Sequence, residues 1–364
     1  MNRRALFSHL AGLLGTFVHP LSQAAPDSPD RSSPKTIDPF LTIAFDLPRK
    51  RILTFTKAPE VDAYDFETLT RVGSSKLARP IFLTVLDETR NRLVTAAARA
   101  GTLDFESSDR APRGIADLQI FDLGSLTFDG SRSGGAPVAP IATVELGTLL
   151  IDAAARLVDR SWLLLEAATP DHAEMRVRRV EIDGGGTGDL ATVAPKTTSL
   201  VVDPRTGDGY TVAKTDGNRG MIQRIDAATM RVERSLPLPY PPTDLDIVGP
   251  GRLVVACRGG FVLFVDGART MRVTGGFRGT GSEPAVRYLP KPRAIILGDH
   301  RPDAGRLITS WELGSENSSS PRRKLGEFRL PSSEKVRLSG TLFLSPDRAR
   351  IFSRSGRTMA VSSR

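Results

Sequence analysis

Residues Pro241–Gly281, PPTDLDIVGPGRLVVACRGGFVLFVDGARTMRVTGGFRGTG, set the fold expected of the whole chain. Four runs rich in β-branched or aromatic residues, Asp244–Val248, Leu253–Cys257, Phe261–Asp266 and Met271–Thr274, are each bounded by Gly, Pro or Asp. Short runs of this composition between turn formers are strands, because branched and aromatic side chains suit a pleated surface. Gly, Pro and Asp supply the tight reversals between them. The segment therefore predicts four strands in about forty residues.

The same phrase recurs outward in both directions. Its first half, two apolar strands joined by a turn with Asp, Pro or Gly, appears as LTIAFDLPRKRILTFT from Leu41, FLTVLDETRNRLVTAA from Phe82 and LLIDAAARLVDRSWLLLEA from Leu149. It returns as SLVVDPRTGDGYTVAK from Ser199, DLDIVGPGRLVVAC from Asp244, VRYLPKPRAIILGDH from Val286 and TLFLSPDRARIFSRS from Thr341. A second hairpin follows most of these, most clearly VDAYDFETLTRV from Val61, LQIFDLGSLTFDG from Leu118, MIQRIDAATMRVERSLPLP from Met221 and FVLFVDGARTMRV from Phe261. One such unit cannot bury its own apolar face, and stacking neighbours does so. The expected fold is all-β: a seven-bladed β-propeller of four-stranded antiparallel blades spanning residues 35–364 as one domain. The second and sixth units carry long loops, Arg99–Ala116 and Gly298–Arg306, which a repeat architecture tolerates. The last unit reaches only a third strand, Thr358–Val361, and a lone strand at Lys35–Ile37 is expected to supply its outer strand and close the ring.

Ahead of the propeller, Arg3 and Arg4 precede an apolar run, Ala5–Val18, and small residues at Ser22, Ala24 and Ala25. That order is the pattern of an export signal, here residues 1–25, followed by a disordered exit, residues 26–34. The run is too short for a membrane span. The adjacent arginines leave ordinary Sec and twin-arginine export both open. The expected location is periplasmic, cell-envelope or extracellular. Removing the signal takes away Arg3 and Arg4 and no acidic residue, so +7 of the chain's +9 remains. Arginine supplies most of the positive charge and suits anionic polymers, but it is scattered rather than striped, which reads first as compositional bias; the expected partner is an unknown protein or an anionic polymer, and no nucleic acid. The single cysteine, Cys257, excludes an intramolecular disulfide. The expected state is a monomer.

The phrase PPTDLDIVGPGRLVVAC…GGFVLFVDGARTMRV resembles the YVTN-type β-propeller repeat of quinoprotein-amine-dehydrogenase-like and surface-layer proteins, and shares much with bacterial WD40-like arrays. The tetrapeptide that names the YVTN repeat is replaced by VVAC at Val254, LTFT at Leu53 and TVAK at Thr211, and no Trp-Asp pair ends a strand. The resemblance implies a seven-bladed fold; its motif is a signature of fold and not of an active site.

In such a fold the loops joining second and third strands share a face with the crossovers between blades. Here they are Lys57–Glu60, Arg99–Ala116, Thr169–Glu174, Lys214–Gly220, Arg258–Gly260, Gly298–Arg306 and Ser353–Arg357. They hold His172 and His300, the two histidines left after signal removal, with Asp171, Asp216, Asp299, Arg301, Asp303 and Arg258. These eight are the candidate ligand-binding residues. A histidine beside an aspartate in a loop also serves as a simple turn cap, and the pair would hold a metal only if the third and sixth units met across the channel. The run Asp183–Asp189 lacks the Lys-Ser/Thr of a phosphate loop and reads as a hairpin turn, as do Asp203–Asp208 and Asp216–Asn218. Trp162 and Trp311 read as packing residues. No nucleophile elbow, zinc-protease or haem motif is present, so no catalytic residue, metal or cofactor is expected. The function expected is a binding or scaffold module; the alternatives are a lactonase-like or amine-dehydrogenase-like enzyme at the channel mouth and a polyanion-binding wall protein.

Overall fold

The short apolar runs between turn formers become, in the computed structural model, 26 strands among the described residues. The structure describes residues 37–87, 90–99, 101–102, 114–128, 136–156, 159, 161–181, 187–267, 270–279, 284–290, 293–301, 305–314, 321–330, 342–345, 350–353 and 358–360. All lie in the unit Pro34–Arg364. Among them, no helix is long and apolar enough to cross a membrane.

The first sheet is β1 (Thr42–Asp46), β2 (Arg51–Phe55), β3 (Glu60–Asp65) and β4 (Arg71–Lys76), each antiparallel to the next. Three later sheets repeat that order. They are β12 (Thr197–Val202), β13 (Gly209–Thr215), β14 (Arg219–Ile225), β15 (Val232–Leu238); then β16 (Pro242–Gly249), β17 (Arg252–Cys257), β18 (Phe261–Asp266), β19 (Arg272–Arg278); then β20 (Ala285–Pro290), β21 (Arg293–Arg301), β22 (Gly305–Leu313), β23 (Pro321–Leu330). The last sheet has three described strands, β24 (Leu342–Leu344), β25 (Arg350–Ser353) and β26 (Thr358–Ala360).

Between the first and the repeating sheets lies one of seven strands: β5 (Ile81–Asp87), β6 (Arg92–Ala98), β7 (Gly114–Asp122), β8 (Ala142–Arg156), β9 (Ser161–Ala167), β10 (Met175–Glu181) and β11 (Thr187–Val193). Its hinge is β8, 15 residues without a break. Ala142–Leu150 pairs with β7 and Leu149–Arg156 with β9, so the outer strand of one unit runs directly into the inner strand of the next. The two units were expected to be separate; the left-handed Gly147, at φ 65°, bends the strand where it changes partner.

The second strand of each unit reads as a continuous apolar run because both its faces are buried. Leu253, Val255 and Cys257 of β17 pack with Tyr210, Val212 and Ile222 of the preceding sheet, while Val254 and Ala256 pack with Val286, Ile295 and Leu297 of the following one. Trp162 is likewise core, and Trp311 lies 4.9 Å from Phe277.

The four strands read from the opening stretch are present, the fourth longer than expected. The described residues of the sixth unit's long loop, Gly298–Arg306, are strand. Asp299, His300 and Arg301 pair with Leu307, Arg306 and Gly305, so β21 and β22 continue as one hairpin through residues whose side chains disfavour strands; cross-strand pairing overrides that preference. Lys35 and Thr36 of the expected closing strand, most of Arg99–Ala116 and most of the glycine run Asp183–Asp189 lie outside the described residues. Ile37 is buried but belongs to no strand. The last sheet packs on the first: the rings of Phe40 and Phe343 are 5.6 Å apart, those of Phe45 and Phe352 5.3 Å, and Arg350 donates to the carbonyls of Phe66 and Glu67.

Candidate functional site

Antiparallel order puts the turns between second and third strands at the same strand ends as the crossovers between sheets, and backbone hydrogen bonds lace the two together. Leu77 N–H donates to Pro59 O, Lys196 N–H to His172 O, Arg258 N–H to Pro241 O and Gly279 N–H to Gly260 O, at 2.8 to 3.0 Å. A surface of loops tied this way is preorganised, since little freedom is left to lose on binding.

The candidate residues fall into three groups on it. Asp171, His172 and Asp216 gather around Lys196. The Lys196 N–H binds the His172 carbonyl at 3.0 Å, and its ammonium lies 3.8 Å from the fully exposed Asp216 carboxylate. His172 is buried, with left-handed backbone (φ 61°), and its N–H donates to Thr169 O at 3.0 Å. It therefore splices a turn to a crossover, which is the capping role open to it from sequence. Asp171 is exposed; a hydrogen bond with the Thr169 side chain and another from Ala173 N–H hold its carboxyl below the usual range. The second group is Arg258, exposed in the next sheet's loop. The third has its backbone at the end of the β21–β22 hairpin, and the side chains of Asp299, His300 and Arg301, with all of Asp303, lie outside the described residues.

Around Arg258 the loops build a platform. Tyr240, in the crossover into β16, stacks on Phe261 at the start of β18, with centroids 3.8 Å apart and planes 3° from parallel. The Arg278 guanidinium sits 5.5 Å from the Phe261 centroid, within cation–π range. Gly220 closes the other side: a Cβ there would come within 2.8 Å of the Tyr240 carbonyl and would strike the Pro242 ring. Arg219, Arg258 and Arg278 are exposed on these segments, and of the three Arg278 is the one seen against a ring.

A different set, on the first strands, escaped the sequence reading. Asp152 of β8, Asp244 and Asp246 of β16 and Arg287 of β20 are half-buried in the row of first strands β8, β12, β16 and β20. Each carboxylate accepts an N–H from the next sheet's first strand: Asp152 from Leu200 at 2.9 Å, Asp244 from Val286 at 3.0 Å, Asp246 from Tyr288 at 2.7 Å. Arg287 donates to Asp244 at 2.6 Å. Burial pushes the Asp152 carboxyl up to about 6, and raises Asp246 too. Burial opposes the charge on Arg287, but Asp244 and Asp246 more than offset it. The detectable signal was Asp244-x-Asp246, two acids at strand spacing and so on one face. Among the described residues, no three His, Cys, Asp or Glu side chains are placed to hold a metal ion. These carboxylates are staples that satisfy edge N–H groups between sheets.

No family model and no curated protein sequence matches the chain. Solved structures do. A chain of a mitotic checkpoint complex superposes with TM-score 0.65 at 10% identity, over 95% of this chain and 99% of that one. The structure of U3-55K superposes with TM-score 0.59 at 10% identity, over 86% and 87%. At that identity the likeness is one of fold alone, that of a β-propeller.

Proposed function

We propose that this chain is an exported, seven-bladed propeller that serves as a protein-interaction scaffold and holds its partner on the loop face. The observation that carries the proposal is the lacing of turns to crossovers, which fixes a broad surface. Seven blades follow if the seven-stranded sheet is divided at β8 and β24–β26 is counted as the last; the contacts of Phe40, Phe45 and Arg350 with that last sheet support closure of the ring. The mitotic checkpoint neighbour shows the fold at work inside an assembly. Export rests on the pattern of residues 1–25.

Site-specific photocrosslinking tests the scaffold role. A crosslinker at Asp171 or Asp216 in cells is expected to yield a discrete protein adduct; one at Arg205 or Arg231, at the opposite strand ends, is not. Adducts only from the opposite end, or none from either, would overturn the proposal.

A further inference from the structure

We infer that Arg79 and Arg99, held together on one buried carboxylate, form a site for an oxyanion of carboxylate or phosphate shape that takes the place of Glu145. Asp117 of β7, with 3% of its side chain exposed, accepts hydrogen bonds from Arg79 Nη1 at 2.5 Å and Arg99 Nη2 at 2.8 Å. Arg79 stands in the crossover from β4 to β5 and Arg99 at the end of β6, so both lie on the loop face. The backbone beside them is fixed: Ala98 N–H donates to Pro80 O at 3.0 Å and Arg99 N–H to Ile115 O at 2.9 Å. Burial pushes the Asp117 carboxyl up, but the hydrogen bonds from Arg99 and Arg79 outweigh it and hold the group below its usual range. Asp117 therefore stays charged and cancels one of the two guanidinium charges. The second is left over where both arginine side chains are 40% exposed.

Elsewhere the arginines of such pairs are used up. Arg71 and Arg178 hold one acid apiece and are 25% and 15% exposed. Asp46 also takes two arginines, but Arg49 goes on to Asn91, and Arg51 lies 4.9 Å from the Phe128 ring. A guanidinium has five N–H donors in a flat fork that matches carboxylate and phosphate. Asp117 takes Nη1 of Arg79 and Nε and Nη2 of Arg99, and among the described residues no other hydrogen bond uses the rest. The other acid paired with Arg99 there is Glu145, opposite Asp117 in register; its carboxylate is 84% exposed and 3.9 Å away, beyond hydrogen-bond reach. So exposed a partner is weakly held and readily displaced. In the scaffold reading the oxyanion is one that a partner carries, but the site stands without that reading.

Titration of the full chain with inorganic phosphate in low-salt buffer, followed by the arginine Nε–H resonances in nuclear magnetic resonance, tests this. Acetate is titrated in parallel, and sodium chloride at matched ionic strength is the control. The Arg79 and Arg99 resonances, assigned from Arg79→Lys and Arg99→Lys, are expected to shift saturably with phosphate or acetate and not with chloride. The tighter of the two anions names the ligand's class. In Arg79→Lys, affinity read at Arg99 is expected to fall about threefold or more, because lysine keeps the charge and loses the fork. Glu145→Gln, at an exposed position that leaves the fold intact, is expected to tighten binding about threefold by removing the competing carboxylate. Arg205→Gln, at the opposite strand ends, is expected to change nothing. No saturable shift at either arginine would overturn the site and leave the pair as a structural tie through Asp117. An unchanged affinity in Glu145→Gln, or a loss in Arg205→Gln equal to that in Arg79→Lys, would overturn it too. Crosslinks from Asp171 and Asp216 without anion shifts would leave the scaffold role standing and this inference fallen; shifts without crosslinks would do the reverse.

Discussion

Asp152, Asp244 and Asp246 sit inside strands, where aspartate is disfavoured, because each accepts the N–H that the neighbouring first strand would otherwise leave unpaired. Burial has a consequence for pH. The folded chain holds a proton on Asp152 up to about 6, the unfolded chain only to its ordinary value of 3.8. Between those values the folded state binds more protons, so stability falls as pH rises through the window and levels off above it. Asp246, raised for the same reason, acts in the same direction. Denaturant unfolding at pH 4.5, 5.5, 6.5 and 7.5 is expected to show a decline of up to about 2 to 3 kcal/mol, and Asp152→Asn to flatten it; stability rising with pH in both proteins would contradict the assignment. Asp203 is a second staple, accepting Arg205 N–H at 2.9 Å and Gly251 N–H of the next sheet at 2.7 Å. Asp203→Ala is expected to cost roughly 1–3 kcal/mol by orphaning a buried N–H, read from the shift in denaturation midpoint. Turn chemistry at Asp203–Asp208 was legible in the sequence because Asp and Gly have local reasons to be there. The reach of Asp203 to Gly251, 48 residues on, was not, since it depends on how two sheets abut.

At the scale of elements, strands were legible wherever both faces are buried, as in β17 and β18, because continuous apolar runs have no other stable home. They were least legible where pairing rather than composition decides. The β21–β22 hairpin extends through Asp299, His300 and Arg301, and β8 runs through two units without a turn. The platform was half visible: Arg258 was named as a candidate, but Tyr240 and Phe261 lie 21 residues apart and meet only because a crossover folds back onto a loop. Gly220 is what lets them meet. Gly220→Ala would drive a methyl group into the Pro242 ring and the Tyr240 carbonyl. The expected loss is about 1–3 kcal/mol of stability, as for other overpacked sites, together with a loss of tyrosine-to-ring stacking seen in near-ultraviolet circular dichroism. Unchanged stability with intact stacking would show that the crossover yields freely.

For the whole molecule, the open question is what joins the last sheet to the first. Side-chain contacts are in place: Phe352 is fully buried against Phe45, and Arg350 caps the carbonyls at the end of β3. A strand upstream of Ile37 would add backbone pairing to the edge of β26 and so protect a sheet edge. The two contributions separate by mutation. Phe352→Ala removes packing and is expected to cost about 3–5 kcal/mol whichever closure operates. Deleting residues 26–36 removes only what lies upstream, leaving Ile37 and the 3.0 Å hydrogen bond of Tyr64 to Asp38 in place. If that segment pairs with the last sheet, the chain should lose about 5 °C or more in melting temperature, and amides of Thr358–Ala360 should exchange faster with solvent as their edge becomes exposed. A melting curve and exchange pattern unchanged by the deletion would leave the last sheet held to the first by side-chain contacts such as Phe45–Phe352 and those of Arg350, with no part for the amino-terminal segment.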